Sequence, residues 1–203
     1  MHGRRPRGRK PQPSEDSIMS AVVSAFSEKG YHGTSLREIA QRAELSLAAF
    51  YQHFDSKYAA LVYLMTGSLT RLRELTEAAI LEAGPDPADQ LTAAVRTHVL
   101  VHAERRERSR IGNSELRSLE SPEREQILRM RREYAGAFQR IMAEGVAQGV
   151  FQTPHPAAAT RAILTMCTAV AQWFDPTGPD TAHQVADQYA ALALATAEHH
   201  PRR

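Results

Sequence analysis

The chain has 203 residues, of which 42% are hydrophobic and 24% are charged, the composition of a globular protein with a buried core. The single cysteine, Cys167, excludes an internal disulfide framework, and no apolar run approaches the roughly 18 residues that span a bilayer. The net charge is only +2, and no apolar stretch of the secretory type follows the N-terminus, so we expect a cytoplasmic protein without a membrane partner.

Positive charge is concentrated at the start of the chain. Residues 1–13 contain Arg4, Arg5, Arg7, Arg9 and Lys10 and no acidic residue. Their Pro and Gly content disfavours a helix, so we expect a flexible basic arm that binds a polyanion. A disordered tail that only aids solubility is the alternative for this segment.

Three helices are expected after the arm. The first runs from about Glu15 to Lys29 with Gly30 as its stop, and two short ones follow at 35–43 and 47–53. Helices this short are stable only when they pack on a neighbour. Their expected buried residues are Ile18, Val22, Ala25 and Phe26 in the first helix, Leu36, Ile39, Ala40 and Ala43 in the second, and Phe50 and Phe54 in the third.

The remaining sequence also has helical periodicity. A long helix begins at Lys57 and ends before Gly84, and Asp86-Pro87 starts one of about 18 residues. The densely charged segment 102–120 is expected to form exposed helix and loop. Further helices are expected to start at Ser121, Pro156 and Pro179. We therefore predict an all-α chain with about nine helices.

Residues 18–61 carry an ordered set of short motifs. They are Phe26, Lys29-Gly30-Tyr31, the stretch TSLREIA at 34–40, Ser46, and Phe50-Tyr51, His53-Phe54 and Ser56-Lys57. This set, with its intervals, resembles the DNA-binding domain of the tetracycline-repressor (TetR) family. The resemblance implies a helix-turn-helix domain at 14–60, with its motif at about 35–54, and a ligand-binding and dimerisation domain at 61–203. It also implies a homodimeric bacterial repressor that a small molecule releases from a pseudo-palindromic operator.

The third helix is expected to enter the major groove of DNA. Gln52 pairs naturally with adenine, and Ala48 or Ala49 can touch a thymine methyl, so we predict readout of A·T pairs. The resemblance assigns Thr34, Tyr51, His53 and Lys57 to phosphates, with simple packing as the alternative for Tyr51 and His53. The full predicted DNA-contacting set is Arg4, Arg5, Arg7, Arg9, Thr34, Ser35, Ser46, Leu47, Ala48, Ala49, Tyr51, Gln52, His53 and Lys57.

Two residues depart from the family pattern. Glu44 stands where the turn usually has Gly, and Leu47 stands where Lys is most common. Residues 14–57 also hold only four basic residues against six acidic ones. We therefore expect the basic arm to supply most of the phosphate neutralisation, with an arginine in the minor groove.

The C-terminal half is similar to the subgroup that senses fatty-acyl and steroid-derived CoA thioesters. The similarity lies in GNSELRSL at 112–119, in Arg131-Arg132 with Tyr134, and in Trp173-Phe174, although Ala169 and Gln172 differ from the residues common there. It implies a small-molecule effector, with an acyl-CoA as one class, and no resident cofactor. The predicted ligand-contacting residues are His98, His102, Asn113, Arg117, Tyr134, Phe138, Met142, Met166 and Trp173.

His98 and His102 lie on the same helical stripe as Leu91 and Val95, so both are expected to point inward. Three interpretations stay open for this pair: hydrogen-bonded core residues, polar ligand contacts, or a metal-binding pair. Core packing is likewise the alternative for the aromatic residues and methionines of the predicted ligand set.

The last two helices are rich in alanine and have a narrow apolar stripe, which favours a homodimer through a four-helix interface. No Ser/His/Asp order, P-loop, dinucleotide glycine pattern or HExxH motif is present, so we expect no enzyme, no catalytic residue and no metal site. Two alternatives to a repressor are open: a protein-interaction adaptor on the same scaffold, and an activator.

Overall fold

The computed structural model describes residues 14–199, and the predicted basic arm with Arg4, Arg5, Arg7 and Arg9 lies outside them. These residues form nine α-helices and no β-strand, which confirms the all-α prediction. They divide into two units between Leu61 and Val62. None of the helices in this part of the chain is long and apolar enough to cross a membrane.

The first unit contains α1 (Glu15–Gly33), α2 (Leu36–Arg42), α3 (Leu47–Phe50) and the start of α4 (Lys57–Glu82). Ser14, Ser35 and Ser46 cap the first three helices by accepting a hydrogen bond from the backbone three residues later. Gly30 was predicted to end α1. Its positive φ of 70° does break the helix there, but one further turn continues to Gly33.

The apolar faces of these short helices are buried, which supplies the stability that their length does not. Phe50 and Phe54 pack with ring centroids 5.7 Å apart. Leu36 is only half-buried, so it contributes less to the core than predicted. The buried residues of this unit include Ile18, Val22, Ala25, Phe26, Ile39, Ala40, Ala43, Phe50 and Phe54.

The third helix is shorter than the predicted range 47–53. It ends at Phe50, and the next residues form tight turns in which the Gln52 and His53 amides donate to the carbonyls of Ala49 and Phe50. The turn before this helix has Glu44 at φ 54°, in the left-handed region that glycine normally occupies. The backbone therefore keeps the turn expected of a glycine, although the residue is glutamate.

The second unit contains the rest of α4, then α5 (Pro87–Glu104), α6 (Arg106–Ser114), a 3-10 turn (Glu115–Ser118), α7 (Ser121–Ala147), α8 (Pro156–Trp173) and α9 (Ala182–Thr196). Proline lies in the first turn of α5, α7 and α8, as predicted. The predicted start of the last helix at Pro179 is wrong. That helix begins at Ala182, because Thr181 and Gln184 form a reciprocal capping box.

Helix α5 lies at the centre of the second unit and packs against α7, α8 and α9. Its Leu91 and Val95 are fully buried together with Phe138 and Met142 of α7 and Ile163 of α8. His98 and His102, two of the candidates for ligand contact, are buried on the same helix, and the His98 ring lies against Phe138 of this core.

Gly145 of α7 is a packing requirement. A Cβ atom placed on it would lie 2.1 Å from Cδ2 of Phe151, whose ring is only 1% exposed and cannot move into solvent. Gly136 of the same helix has its nearest such neighbour at 3.7 Å. We expect Gly145→Ala to destabilise the protein by about 1–3 kcal/mol.

Gly136→Ala is the matched control, and we expect it to stabilise the protein by about 0.5–1 kcal/mol because alanine is the better helix former. Thermal unfolding of both variants measures the difference. If both variants changed the free energy of unfolding by the same amount and in the same direction, the Phe151 ring would have moved aside without an energetic cost.

Candidate functional site

The exposed face of the first unit is built around α3. Phe50 beneath it is fully buried, while Ala48, Gln52 and His53 are exposed and Tyr51 is 50% exposed. Leu47 and Ala49 are half-buried at the sides. We call the group Ala48, Tyr51, Gln52 and His53 the recognition face. It presents one amide, one imidazole and one phenol beside small apolar groups, a mixture suited to the edges of base pairs.

Ser35 and Ser46 are both exposed and both serve as helix caps. The Ser35 hydroxyl accepts a hydrogen bond from the Glu38 amide at 3.2 Å, and the Ser46 hydroxyl accepts one from the Ala49 amide at 3.1 Å. Each hydroxyl still has its proton to donate, so phosphate contact stays a prediction for both.

Thr34 has a different role from the predicted phosphate contact. Its side chain is buried, and its hydroxyl lies 2.7 Å from the Gly30 carbonyl oxygen and 3.0 Å from that of Ala25. A hydroxyl has one proton, and here it is directed at these two acceptors. Thr34 therefore holds the bend of α1 together, and the structure contradicts an outward phosphate contact by this side chain.

Lys57, the first residue of α4, also makes internal contacts. Its ammonium donates to the carbonyl oxygens of Tyr31 at 2.6 Å and Thr34 at 2.7 Å, and lies 4.4 Å from the centroid of the Tyr31 ring. Burial lowers the pKa of this ammonium. Two of its three N–H groups are thus used to fasten α4 to the turn between α1 and α2.

We expect Lys57→Met to lower the free energy of unfolding by about 2 kcal/mol, because two charge-assisted hydrogen bonds are lost. The slope of log K against log salt for DNA binding is expected to stay unchanged. A phosphate contact, as the sequence predicted, would instead lower the slope by about 0.9 per protomer. Arg37→Met removes an exposed cation and is the control, with a stability change within about 0.5 kcal/mol.

Most cations of the first unit are already paired. Lys29 contacts Glu38 at 2.7 Å, and Arg42 pairs with both Glu28 and Glu38. The Lys29 ammonium, helped by Arg42, holds the pKa of the Glu38 carboxyl below its usual value. Within residues 14–57, Arg37 is the one basic residue without a hydrogen-bond or ion-pair partner in the described part of the chain.

The second unit contains a buried chain of polar side chains. The Nδ1 atom of His98 is 2.8 Å from the Tyr134 hydroxyl, and its Nε2 atom is 3.1 Å from the Thr168 hydroxyl. The Tyr134 hydroxyl is in turn 3.2 Å from that of Thr76. Both ring nitrogens of His98 therefore have partners, as buried polar groups require.

His102 stacks on His98 with ring centroids 4.1 Å apart. Its Nδ1–H donates to the His98 carbonyl at 2.9 Å, which places the proton of the neutral ring on Nδ1. Burial lowers the pKa of both histidines, and that of His98 falls well below its ordinary value. Of the three interpretations left open by the sequence, the hydrogen-bonded core fits His98.

Other predicted ligand residues fall into three groups. Phe138 and Met142 are buried in the core, and Met166 is half-buried against it. Asn113 is half-buried, with its Oδ1 3.5 Å from Nη2 of Arg131. Arg117 is exposed on the 3-10 turn.

Trp173 does not join this cluster. It is 51% exposed and stacks on Tyr189 of α9 at a centroid distance of 6.0 Å. Leu192 of the same helix is also 51% exposed. We call Trp173, Tyr189 and Leu192 the α8–α9 face. The ring of Trp173 lies on an apolar surface rather than in the core, and ligand contact stays a prediction for it.

Two contacts of α6 were not predicted. Arg106 donates to the Phe174 carbonyl at 2.5 Å, and Arg110 donates to the Gln172 carbonyl at 2.7 Å. Both acceptors lie at the C-terminal end of α8, where carbonyl groups lack helical partners. The charged segment at 102–120 therefore secures α8, which its charge pattern alone did not reveal.

Residues 14–199 contain no group of three or more His, Cys, Asp or Glu side chains that could hold a metal ion. Cys167 is buried, and burial raises the pKa of its thiol to about 12. A thiol in this state is a packing group rather than a nucleophile.

Comparison with known proteins covers both units. Residues 18–63 match a family described as bacterial regulatory proteins, tetR family, and residues 84–197 match one described as tetracyclin repressor-like, C-terminal domain. The HTH-type transcriptional repressor KstR2 of Mycolicibacterium smegmatis is 25% identical over 187 residues, which cover 91% of each chain.

Solved structures agree with this. A bacterial regulatory protein in the tetR family from Rhodococcus RHA1 is 30% identical with a TM-score of 0.85, and the match covers 93% of this chain and 100% of that one. AibR, solved in complex with isovaleryl coenzyme A and operator DNA, is 22% identical with a TM-score of 0.79, over 87% of this chain and 96% of that one. At this identity the AibR match shows a shared fold.

Proposed function

The chain belongs to the tetracycline-repressor family and is a ligand-responsive transcriptional repressor of that type, and we propose that it binds a pseudo-palindromic operator as a homodimer and leaves it when a small effector enters the second unit. The observation that carries the DNA-binding half of this proposal is the recognition face. Its four residues are exposed side by side above the buried Phe50. The proposed target of the repressor is chromosomal DNA, so we place its action in the cytoplasm, at the nucleoid. We assign no catalytic step to the protein.

Base readout is assigned to the recognition face and phosphate neutralisation to the arm. Gln52 is the residue there with both an amide donor and an acceptor, the pair that matches the N6 and N7 edge of adenine. The paired cations Lys29 and Arg42 leave the first unit with little free positive charge. The basic arm is therefore assigned most of the salt-dependent affinity.

Dimerisation is assigned to the α8–α9 face. Trp173 and Leu192 each expose about half of their surface. Exposed large apolar side chains grouped on two neighbouring helices favour contact with the same face of a second copy. A two-fold axis through this contact sets two recognition faces against two half-sites of DNA.

The effector is proposed to be an acyl-CoA or a related amphipathic molecule. Support comes from the fold shared with AibR, which was solved in complex with isovaleryl coenzyme A, and from the polar groups of α5 and α7 beside an apolar core. Helix α4 belongs by its residues to both units, and we assign to it the transfer of the signal to the recognition face. The free energy for release must come from stronger effector binding to the state that does not bind the operator.

Selection of duplexes from a random pool by the purified full chain tests the DNA-binding half. We expect an enriched inverted repeat with A·T pairs at the Gln52 contact. Gln52→Ala is expected to relax that position at a cost of about 1–3 kcal/mol, while Gln139→Ala, at an exposed position of α7, leaves selection unchanged. A dimer that enriches no duplex even at low salt would contradict the proposal and favour the adaptor.

A further inference from the structure

Arg131 of α7 is a half-buried charge without a carboxylate partner. Its Nη2 donates to the Gly112 carbonyl at 2.8 Å and lies 3.5 Å from the Asn113 side-chain oxygen. Arg42, Arg73 and Arg96 each have a carboxylate within 4.0 Å. Arg131 has none among residues 14–199. A charged side chain that is removed from water in a protein normally has an opposite charge beside it. The Arg131 guanidinium is an exception, because no counter-ion lies beside it in the described part of the chain.

The unused donors of Arg131 are not completely buried. Both of its contacts come from Nη2, so Nε and Nη1, which carry three N–H groups, have no acceptor in the described part of the chain. Among residues 14–199, Nε of Arg73 is the one side-chain nitrogen or oxygen that is both fully buried and without a partner. Since Nε and Nη1 of Arg131 also lack partners, neither of them is fully buried. A guanidinium with a free edge is suited to two parallel hydrogen bonds with a carboxylate or phosphate.

His102 faces the same place. Its Nδ1 is occupied by the His98 carbonyl, while Nε2 has no partner within residues 14–199. Arg131 is near enough to lower the pKa of His102. The two side chains lie one helical turn from the pair His98 and Tyr134: four residues later on α5 and three residues earlier on α7. Both ring nitrogens of His98 have hydrogen-bond partners. One turn away, Nε2 of His102 on α5 and two nitrogens of Arg131 on α7 have none in the described part of the chain.

We propose that Arg131, with the amide of Asn113 beside it, forms a subsite for an anionic group of the effector, a carboxylate or a phosphate, and that Nε2 of His102 accepts a hydrogen bond from a donor group next to that anion. The inference rests on the proposed function, because it defines the chemistry of a ligand for the same unit. The guanidinium receives the anion at its free edge. The neutral His102 ring carries its proton on Nδ1, so the lone pair on its Nε2 accepts from a hydroxyl or amide N–H of the effector rather than from the anion. An effector that lacks a negative charge leaves Arg131 without a counter-ion and binds more weakly.

Three probes of one chain length test this subsite: decanoate, decanoyl-CoA and uncharged decanol. Calorimetry on the full-length chain is expected to give decanoate, decanoyl-CoA or both an affinity about tenfold or more above that of decanol. Arg131→Met is expected to abolish this advantage and leave decanol unchanged. Arg132→Met, which removes an exposed charge from the next position of α7, is expected to keep it.

The probes distinguish the source of the anion. An advantage for decanoate assigns the subsite to a carboxylate, and one for decanoyl-CoA alone assigns it to a phosphate of the CoA moiety. If neither charged probe exceeds decanol, or if Arg131→Met keeps the advantage, the proposal is overturned.

Arg131→Lys decides the outcome if Arg131→Met does not fold, since lysine keeps the charge but loses the fork. It is expected to weaken the charged probe severalfold and to leave decanol unchanged, whereas an equal loss for both contradicts the subsite. Operator binding without probe is measured on the same samples. If the wild type shows no charge selectivity but binds the operator, the subsite alone is rejected, whereas absence of operator binding in the wild type rejects the proposed function.

Discussion

Deletion of residues 2–10 is expected to weaken operator binding by about a hundredfold or more at 0.15 M salt, because each lost phosphate contact removes about 0.9 from the salt slope. The segment carries Arg4, Arg5, Arg7, Arg9 and Lys10. Within residues 14–57 the structure leaves Arg37 as the one basic residue without a partner in the described part of the chain. The body of the DNA-binding unit therefore has little electrostatic attraction of its own. Fluorescence anisotropy with a labelled operator across a salt series measures both quantities.

Two controls separate charge from sequence in this segment. Replacement of the five basic residues by glutamine, at constant length, is expected to reproduce the deletion. A scrambled segment of the same composition is expected to keep most of the affinity but to lose part of the specificity if an arginine enters the minor groove. Affinity and slope that survive the deletion would show that the segment is dispensable.

Local signals in the sequence were sufficient for the architecture. Prolines at the starts of α5, α7 and α8 marked those helices, because proline is tolerated in the first turn and excluded later. Motif spacing located the helix-turn-helix, and Glu44 was recognised as occupying a glycine position. In each case the physical cause lies within a few residues of the signal.

Residue roles that depend on contacts distant in sequence were not predictable. Lys57 binds carbonyl groups 26 and 23 residues away, and Arg110 binds one 62 residues away. The motif containing Thr34 indicated DNA, but the orientation of its hydroxyl depends on the bend at Gly30. The sequence could not locate Trp173, because an apolar ring is compatible both with a core position and with an exposed apolar face. Its place became clear from its stacking on Tyr189.

The stacked histidines are expected to make the protein less stable in acid by about 2–3 kcal/mol between pH 7.5 and 5.5. Burial lowers the pKa of His98 well below 6.5, and it also lowers that of His102. The unfolded chain takes up a proton at each site as the pH falls through about 6.5, whereas the folded chain takes it up only at lower pH. Stability is therefore present above pH 6.5 and is lost below it, at up to about 1.4 kcal/mol per pH unit for each histidine.

The groups facing this pair do not titrate in the same window. Tyr134 and Cys167 have pKa values raised by burial, and Arg131 stays charged although burial lowers its pKa. Two carboxylates elsewhere in the described part of the chain, Glu38 and Asp175, have pKa values lowered from 4.5 and 3.8. The stability that they contribute is therefore lost at a more acidic pH than that of the histidines. A fall in stability that begins near pH 6.5 is therefore assigned to the two histidines.

His98→Gln tests this assignment, because glutamine can hydrogen-bond to Tyr134 and Thr168 but does not titrate. We expect the variant to be less stable than wild type at pH 7.5 and to lose roughly half of the pH dependence. His183→Gln, at an exposed position of α9, is expected to change neither quantity. Urea unfolding at half-unit pH intervals gives the change of stability with pH directly. A wild-type stability that stays constant from pH 7.5 to 5.5 would show that the two histidines take up protons at the same pH in the folded and in the unfolded chain.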